Sequence, residues 1–209
     1  MDYRATDVYK FFLAIEEYAI GDLDLFHKLT GEAESLDEID SKGLEKIDAS
    51  PPTTMYPYGF EFNFGKPSNN RATIPFAMMI FSCMDVIGAI LKDGKPKATA
   101  LNVEEFYKHV TQKPTKEELD CLIKLFRHGL AHNYFPKRGL AISFHSKNPQ
   151  TLLFKDGDRI CLNVNILEKQ FIEGFTQIKD DKELYPKMNE NFSKLNAAYA
   201  KERCTLLDN

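Results

Sequence analysis

The chain has 209 residues, 43% of them hydrophobic and 28% charged, with a net charge of −4. That length gives one large domain or two small ones, and a core that needs no outside help. The acidic balance excludes a protein coated all over with positive charge for nucleic acid. No run reaches the ~18 consecutive apolar residues of a membrane span; the most apolar, Ile74 to Leu91, is interrupted by Pro75, Ser82 and Asp85 and reads as a buried core helix.

The opening Met1-Asp2-Tyr3-Arg4 lacks a basic stretch followed by an apolar one, so no secretory signal is expected. Cys83, Cys121, Cys161 and Cys204 are scattered, with no C-x-x-C pair, which fits a reducing, cytoplasmic setting. Residues 6–29 predict a helix, with Val8, Phe11, Phe12, Ile15, Tyr18 and Ala19 at helical spacing and Thr6 or Asp7 as its cap. Residues 31–48 are acidic and polar and read as a loop. Four prolines break 49–70, where Tyr58 to Phe64 alternates aromatic with small or polar residues, as a short strand or an aromatic loop does.

Residues 71–92 predict a second long helix, apolar nearly all round and therefore central, with Ser68, Asn69 or Asn70 as its cap and Pro75 in its first turn. Asp93-Gly94-Lys95-Pro96 ends it. A short helix over 102–112 takes Asn102 as its cap. A helix over 115–134 opens on a capping box, Thr115 with Glu118, and carries the core stripe Leu119, Leu122, Ile123, Phe126 and Leu130. Strands over 140–146 and 159–164, with Lys155-Asp156-Gly157-Asp158 as a turn, predict a small antiparallel hairpin. Two terminal helices follow over 165–180 and 184–203, the last polar and exposed. The expected fold is mainly α: one domain over 1–209, a helical bundle with a β-hairpin inserted near 140–164. Its expected core gathers Phe11, Ile15, Met79, Ile80, Ile87, Leu122, Phe126 and Leu130.

From Cys121 to Lys147 there is no Asp or Glu, while Lys124, Arg127, Lys137, Arg138, Lys147, His128, His132 and His145 fall inside. Such a window suits a phosphate-bearing ligand or is a solvated face. At ~100° per residue, His128 and His132 lie opposite the core stripe beside Cys121 and Leu125, with Arg127 on its flank. That face is turned to water or to a partner, and a homodimer interface through Cys121, Leu125 and His128 is expected.

Three chemistries compete there. His128-x-x-x-His132 has the spacing of a zinc pair, yet no Glu follows the first His, no carboxylate is near in sequence, and Cys121 is roughly 10 Å away along the helix; no metal and no cofactor are expected. No G-x-S-x-G, cysteine nucleophile context or Gly-rich phosphate loop occurs. Phosphodiester cleavage remains. An imidazole titrating near neutrality moves a proton, and an arginine stabilises the charge of a pentacovalent phosphorus, with a ribose 2′-OH as nucleophile.

Arg127-His128-Gly129-Leu130-Ala131-His132 resembles the R-x4-6-H motif of the HEPN superfamily, helical bundles of which many are metal-independent ribonucleases of toxin or defence systems. The family commonly has Asn after the Arg, where this chain has His128. The resemblance implies that Arg127 binds phosphate, His132 is the acid or base and His128 assists, with Asn133, Tyr134, Lys137 and Arg138 contacting RNA. It also implies a homodimeric site and a possible antitoxin or other partner protein. The alternative is a non-catalytic interaction module that binds a protein or nucleic acid through the same face.

Overall fold

The computed structural model describes residues 2–23, 54–55, 61–62, 73–95, 99–127, 140–143, 151–156 and 159–207. Its architecture is a mainly helical bundle with short β ladders, as the hydrophobic periodicity implies.

A 3-10 turn, Tyr3–Ala5, leads into α1, Asp7–Ala14, which runs on as a π-wound turn, Ile15–Ile20. Thr6 caps α1: its Oγ1 accepts from the Tyr9 N–H at 3.3 Å, satisfying one of the orphan donors of a helix start. Val8, Phe12 and Ile15 are buried. The short strands β1, Thr54–Met55, and β2, Glu61–Phe62, pair antiparallel with Thr54 opposite Phe62. The rest of the 49–70 segment, and 31–48, lie outside the described residues.

The central helix α2 spans Thr73–Lys92, with Pro75 in its first turn, where a missing N–H costs nothing. It is long and apolar enough to cross a membrane by length and composition. Many of its apolar side chains are nevertheless taken up inside the fold: Phe76, Ile80, Met84, Ile87 and Ile90 are fully buried, while Ile74, Met78, Met79 and Val86 are half-buried. Gly94, at φ +70°, closes the helix by donating its N–H to the Ala89 carbonyl at 2.8 Å.

Helix α3 is Thr99–Tyr107, so it starts three residues earlier and ends earlier than the 102–112 expectation. Asn102 is therefore not a cap but an interior residue, 1% exposed, facing α2. Helix α4, Lys116–Cys121, opens on the expected capping box: Thr115 Oγ1 accepts from Glu118 N–H at 3.2 Å, and Glu118 Oε2 accepts from Thr115 N–H at 2.8 Å. It continues as a second π-wound turn, Leu122–Arg127.

Strand β3, Leu140–Ser143, pairs parallel with β5, Arg159–Asn163, Leu140 lying opposite Ile160. This corrects the expected pairing of those two segments. The antiparallel partner of β5 is β4, Leu153–Asp156, and the sheet order is β3-β5-β4. Only Gly157 and Asp158 separate β4 from β5, a length that favours a tight hairpin. A parallel partner needs a crossover instead, and β4 lies within that crossover.

Helix α5, Val164–Asp180, buries Leu167, Phe171, Phe175 and Ile178. Helix α6 is Tyr185–Leu207, the terminal helix whose sequence reads as polar and exposed. It instead buries Tyr185, Met188, Asn191 and Leu195 at helical spacing, and Asn191 Nδ2 donates to the Ile90 carbonyl at the end of α2 at 2.8 Å. Of the expected core, Ile15, Ile80, Ile87, Leu122 and Phe126 are buried together, and Phe11 and Met79 are half-buried beside them. Leu130 lies outside the described residues.

Candidate functional site

Arg127 is the last residue of the π turn that extends α4. The i→i+5 ladder of a π turn matters for its direction. Five α-helical steps from buried Leu122 would turn Arg127 by ~140°. A wider turn brings it much nearer the face that Leu122 shares with the core. Arg127 accordingly leans towards α2. Its Nη2 donates to Asp85 Oδ2 at 3.1 Å, and the two side chains are 26% and 20% exposed. Arg127 makes further interactions besides this one.

Asp85 is itself held. Its Oδ1 accepts from Asn102 Nδ2 at 2.8 Å. Asn102 stands on α3 at a place fixed by backbone: Gly88, one turn beyond Asp85 on α2, faces the Asn102 carbonyl so closely that a Cβ there would lie 1.8 Å from its oxygen. The Asn102 amide turns its nitrogen to Asp85, which leaves Oδ1 buried with no partner. An ionised carboxylate accepts only, so both of its neighbours must donate, and the amide orientation follows from that.

Arg127, Asp85 and Asn102 thus form one chain of donors and acceptors across α4, α2 and α3. The acid-free window of the sequence is not acid-free in space. Arg127 reaches a carboxylate 42 positions away, and Lys124 pairs with Asp120 at 2.8 Å. Lys124 also draws the Asp120 carboxyl below its ordinary range.

Of the residues expected to form the site, Arg127 is described. His128, His132, Asn133, Tyr134, Lys137 and Arg138 lie outside the described residues, as do His145 and Lys147. Of the expected dimer contacts, Cys121 is half-buried against the chain's own core. Burial raises its thiol, with Glu118 adding to the effect. Burial pushes the Cys83 thiol up to about 11. Neither is poised as a thiolate nucleophile. Among the described residues no three His, Cys, Asp or Glu side chains gather as a metal site.

Sequence reasoning missed Asp85 and Asn102 as partners of Arg127. Asp85 figured only as an interruption of an apolar run, and Asn102 only as a helix cap. The signal was present in the first case. A lone carboxylate in a helix that is apolar nearly all round needs a cation or donors.

No family model, no curated protein and no solved structure matches the chain.

Proposed function

We propose that this chain is a metal-independent endoribonuclease of the HEPN type. The observation that carries the reading is the state of Arg127: a guanidinium at the end of a π turn, held by a carboxylate that is held in turn by a buried amide. Arginine loses about 2 kcal/mol of rotamer entropy when fixed. A guanidinium already held in place has surrendered much of that before substrate arrives, which is what electrostatic stabilisation of a transition state requires.

In the proposed reaction a base takes the proton of a ribose 2′-OH, and the 2′-oxygen bonds to the adjacent phosphorus. The P–O5′ bond breaks, and an acid protonates the departing 5′-oxygen. His132 serves as acid or base, His128 assists, and Arg127 holds the phosphoryl oxygens as negative charge accumulates there. Asn133, Tyr134, Lys137 and Arg138 contact the RNA. A homodimer brings two such helices to one cleft, and an antitoxin-like protein is a candidate partner.

A second reading has its own support. Arg127 and Lys124 are both paired to carboxylates, which lowers the local field that would draw in a nucleic acid. A non-catalytic interaction module fits that neutralised face.

Incubation of the purified protein with single-stranded RNA in excess EDTA separates the two. The ribonuclease yields 5′ fragments that end in a 2′,3′-cyclic phosphate and leaves DNA intact, since DNA lacks the 2′-OH. Arg127→Ala and His132→Ala each abolish cleavage. Light scattering gives about twice the 24.0 kDa chain mass. Zinc-dependent cleavage would favour a His128–His132 metal pair. Salt-sensitive RNA binding without cleavage, weakened by Lys137→Ala and Arg138→Ala, would favour the module. Neither cleavage nor binding at low salt would end the RNA reading.

A further inference from the structure

We infer that Asp85, braced by Asn102, is the positioning residue that aims the Arg127 guanidinium at the scissile phosphate. The inference rests on the ribonuclease reading and adds to it a support drawn from outside the R-x4-H segment.

Three observations converge on this role. First, the carboxylate has a directed job on each oxygen: Oδ2 accepts from Arg127 Nη2 at 3.1 Å and Oδ1 accepts from Asn102 Nδ2 at 2.8 Å. A carboxylate tied at one oxygen cannot swing to follow the arginine, so the arginine conforms to it. Second, the brace is rigid. The 1.8 Å that a Gly88 Cβ would leave to the Asn102 carbonyl oxygen means that α2 and α3 touch backbone to backbone beside the pair. Third, the Asn102 amide turns its nitrogen, not its oxygen, to the carboxylate, with Oδ1 directed into a buried position, so the bond is directed at Asp85, which can only accept. Placement of this kind matters to rate, because a misplacement of ~1 Å can slow a reaction ~100-fold.

A carboxylate present only to balance charge, or only to stabilise the fold, would behave differently. Two substitutions separate the roles. Asp85→Glu keeps the charge and moves the carboxylate by one methylene. Asp85→Asn keeps the shape and weakens the grip, since it removes the charge–charge attraction of the ion pair and leaves Arg127 a neutral acceptor. The experiment uses the full chain in excess EDTA, with a fluorescein-labelled single-stranded RNA. Anisotropy gives the binding constant, single-turnover cleavage at saturating RNA gives the rate, and thermal melting monitors the fold.

The expected result is that both variants bind the RNA within about threefold of the parent and cleave it at least about tenfold more slowly. In an Arg127→Lys background, which lacks the planar fork, Asp85→Asn should slow cleavage by less than about twofold, because Asp85 acts through the guanidinium. If Asp85→Glu cleaves like the parent, aim is not what Asp85 supplies and the inference is overturned. The same holds if Asp85→Asn slows the parent and the Arg127→Lys chain equally. A variant whose melting midpoint falls below the assay temperature is read at a lower temperature, against a parent measured there. An active parent with normal Asp85 variants overturns the positioning role and leaves the ribonuclease standing. A parent that cleaves nothing overturns both.

Discussion

Gly88 and Asn102 meet backbone to backbone: a Cβ on Gly88 would sit 1.8 Å from the Asn102 carbonyl oxygen and 2.9 Å from its Cα. No side-chain rotation relieves such a clash. α2 and α3 can lie this close only because position 88 has no Cβ, and their closeness sets the Asn102 amide opposite Asp85.

Gly88→Ala should therefore destabilise the chain although alanine gains about 1 kcal/mol in helix propensity. The expected net loss is about 2 kcal/mol or more, since backbone must move. Gly174→Ala is the comparison. Its Cβ would meet the Phe106 ring at 2.8 Å and Val110 Cγ2 at 2.9 Å, and side chains can give way there. Urea denaturation of both variants ranks them. If Gly174→Ala proves the more damaging, the reason given for the α2–α3 approach is wrong.

Asp85 and Asn102 should be thermodynamically coupled. Asp85→Ala strands the Asn102 Nδ2, a buried donor, at a cost of about 1–3 kcal/mol. Once Asn102 is also alanine, that stranded donor no longer exists. The double variant should then be more stable than the sum of the singles predicts, by at least about 0.5 kcal/mol. Additive losses in a denaturant double-mutant cycle would mean that the 2.8 Å bond is not one the protein relies on in solution.

The helices were legible because each carries its own signature. Thr115 with Glu118 marks a start, Asp93-Gly94 an end, and the stripe Leu122, Ile123, Phe126 a buried face. The strand pairing was less so. Alternation in 140–146 and 159–164 identifies strands without saying which edge of β5 each partner takes, and the run Leu152-Leu153-Phe154 went unread as a strand. The site was legible only along its own helix. The pairing of Arg127 with Asp85 spans 42 positions, and a π turn altered the direction that an α-helical wheel assigns to Arg127. Neither is encoded in the spacing of R-x4-H.

Phe126 tests the face assigned to the helix that carries Arg127. It is 0% exposed and lies in the contiguous core with Leu122 and Ile123. Phe126→Ala should lower the unfolding free energy by about 3–5 kcal/mol, the lost transfer energy plus the cavity left behind. A loss under about 1 kcal/mol in chemical denaturation would place this side chain outside the core, and Arg127 next to it would have to be reassigned.

His109 follows α3, half-buried, and burial is the main cause that holds its imidazole below the usual value of 6.5. Glu105 and Asp181 pull it upward, Lys113 and Lys108 downward, and burial prevails. A histidine depressed in the folded state binds its proton more readily when unfolded. Its contribution is therefore fully present above the unfolded value and is lost as pH falls through the lower, folded one. The carboxylates drawn below their ordinary range, Asp120, Glu173 and Glu190, act in a more acidic window and in the same sense. Melting should thus occur at a lower temperature at about pH 5 than at about pH 7.5. His109→Gln, which has no proton to gain in that range, should reduce the difference. The other histidines are common to both chains, so the change in slope belongs to position 109. Equal slopes in the two proteins would show that His109 titrates alike folded and unfolded, and that its burial carries no linkage.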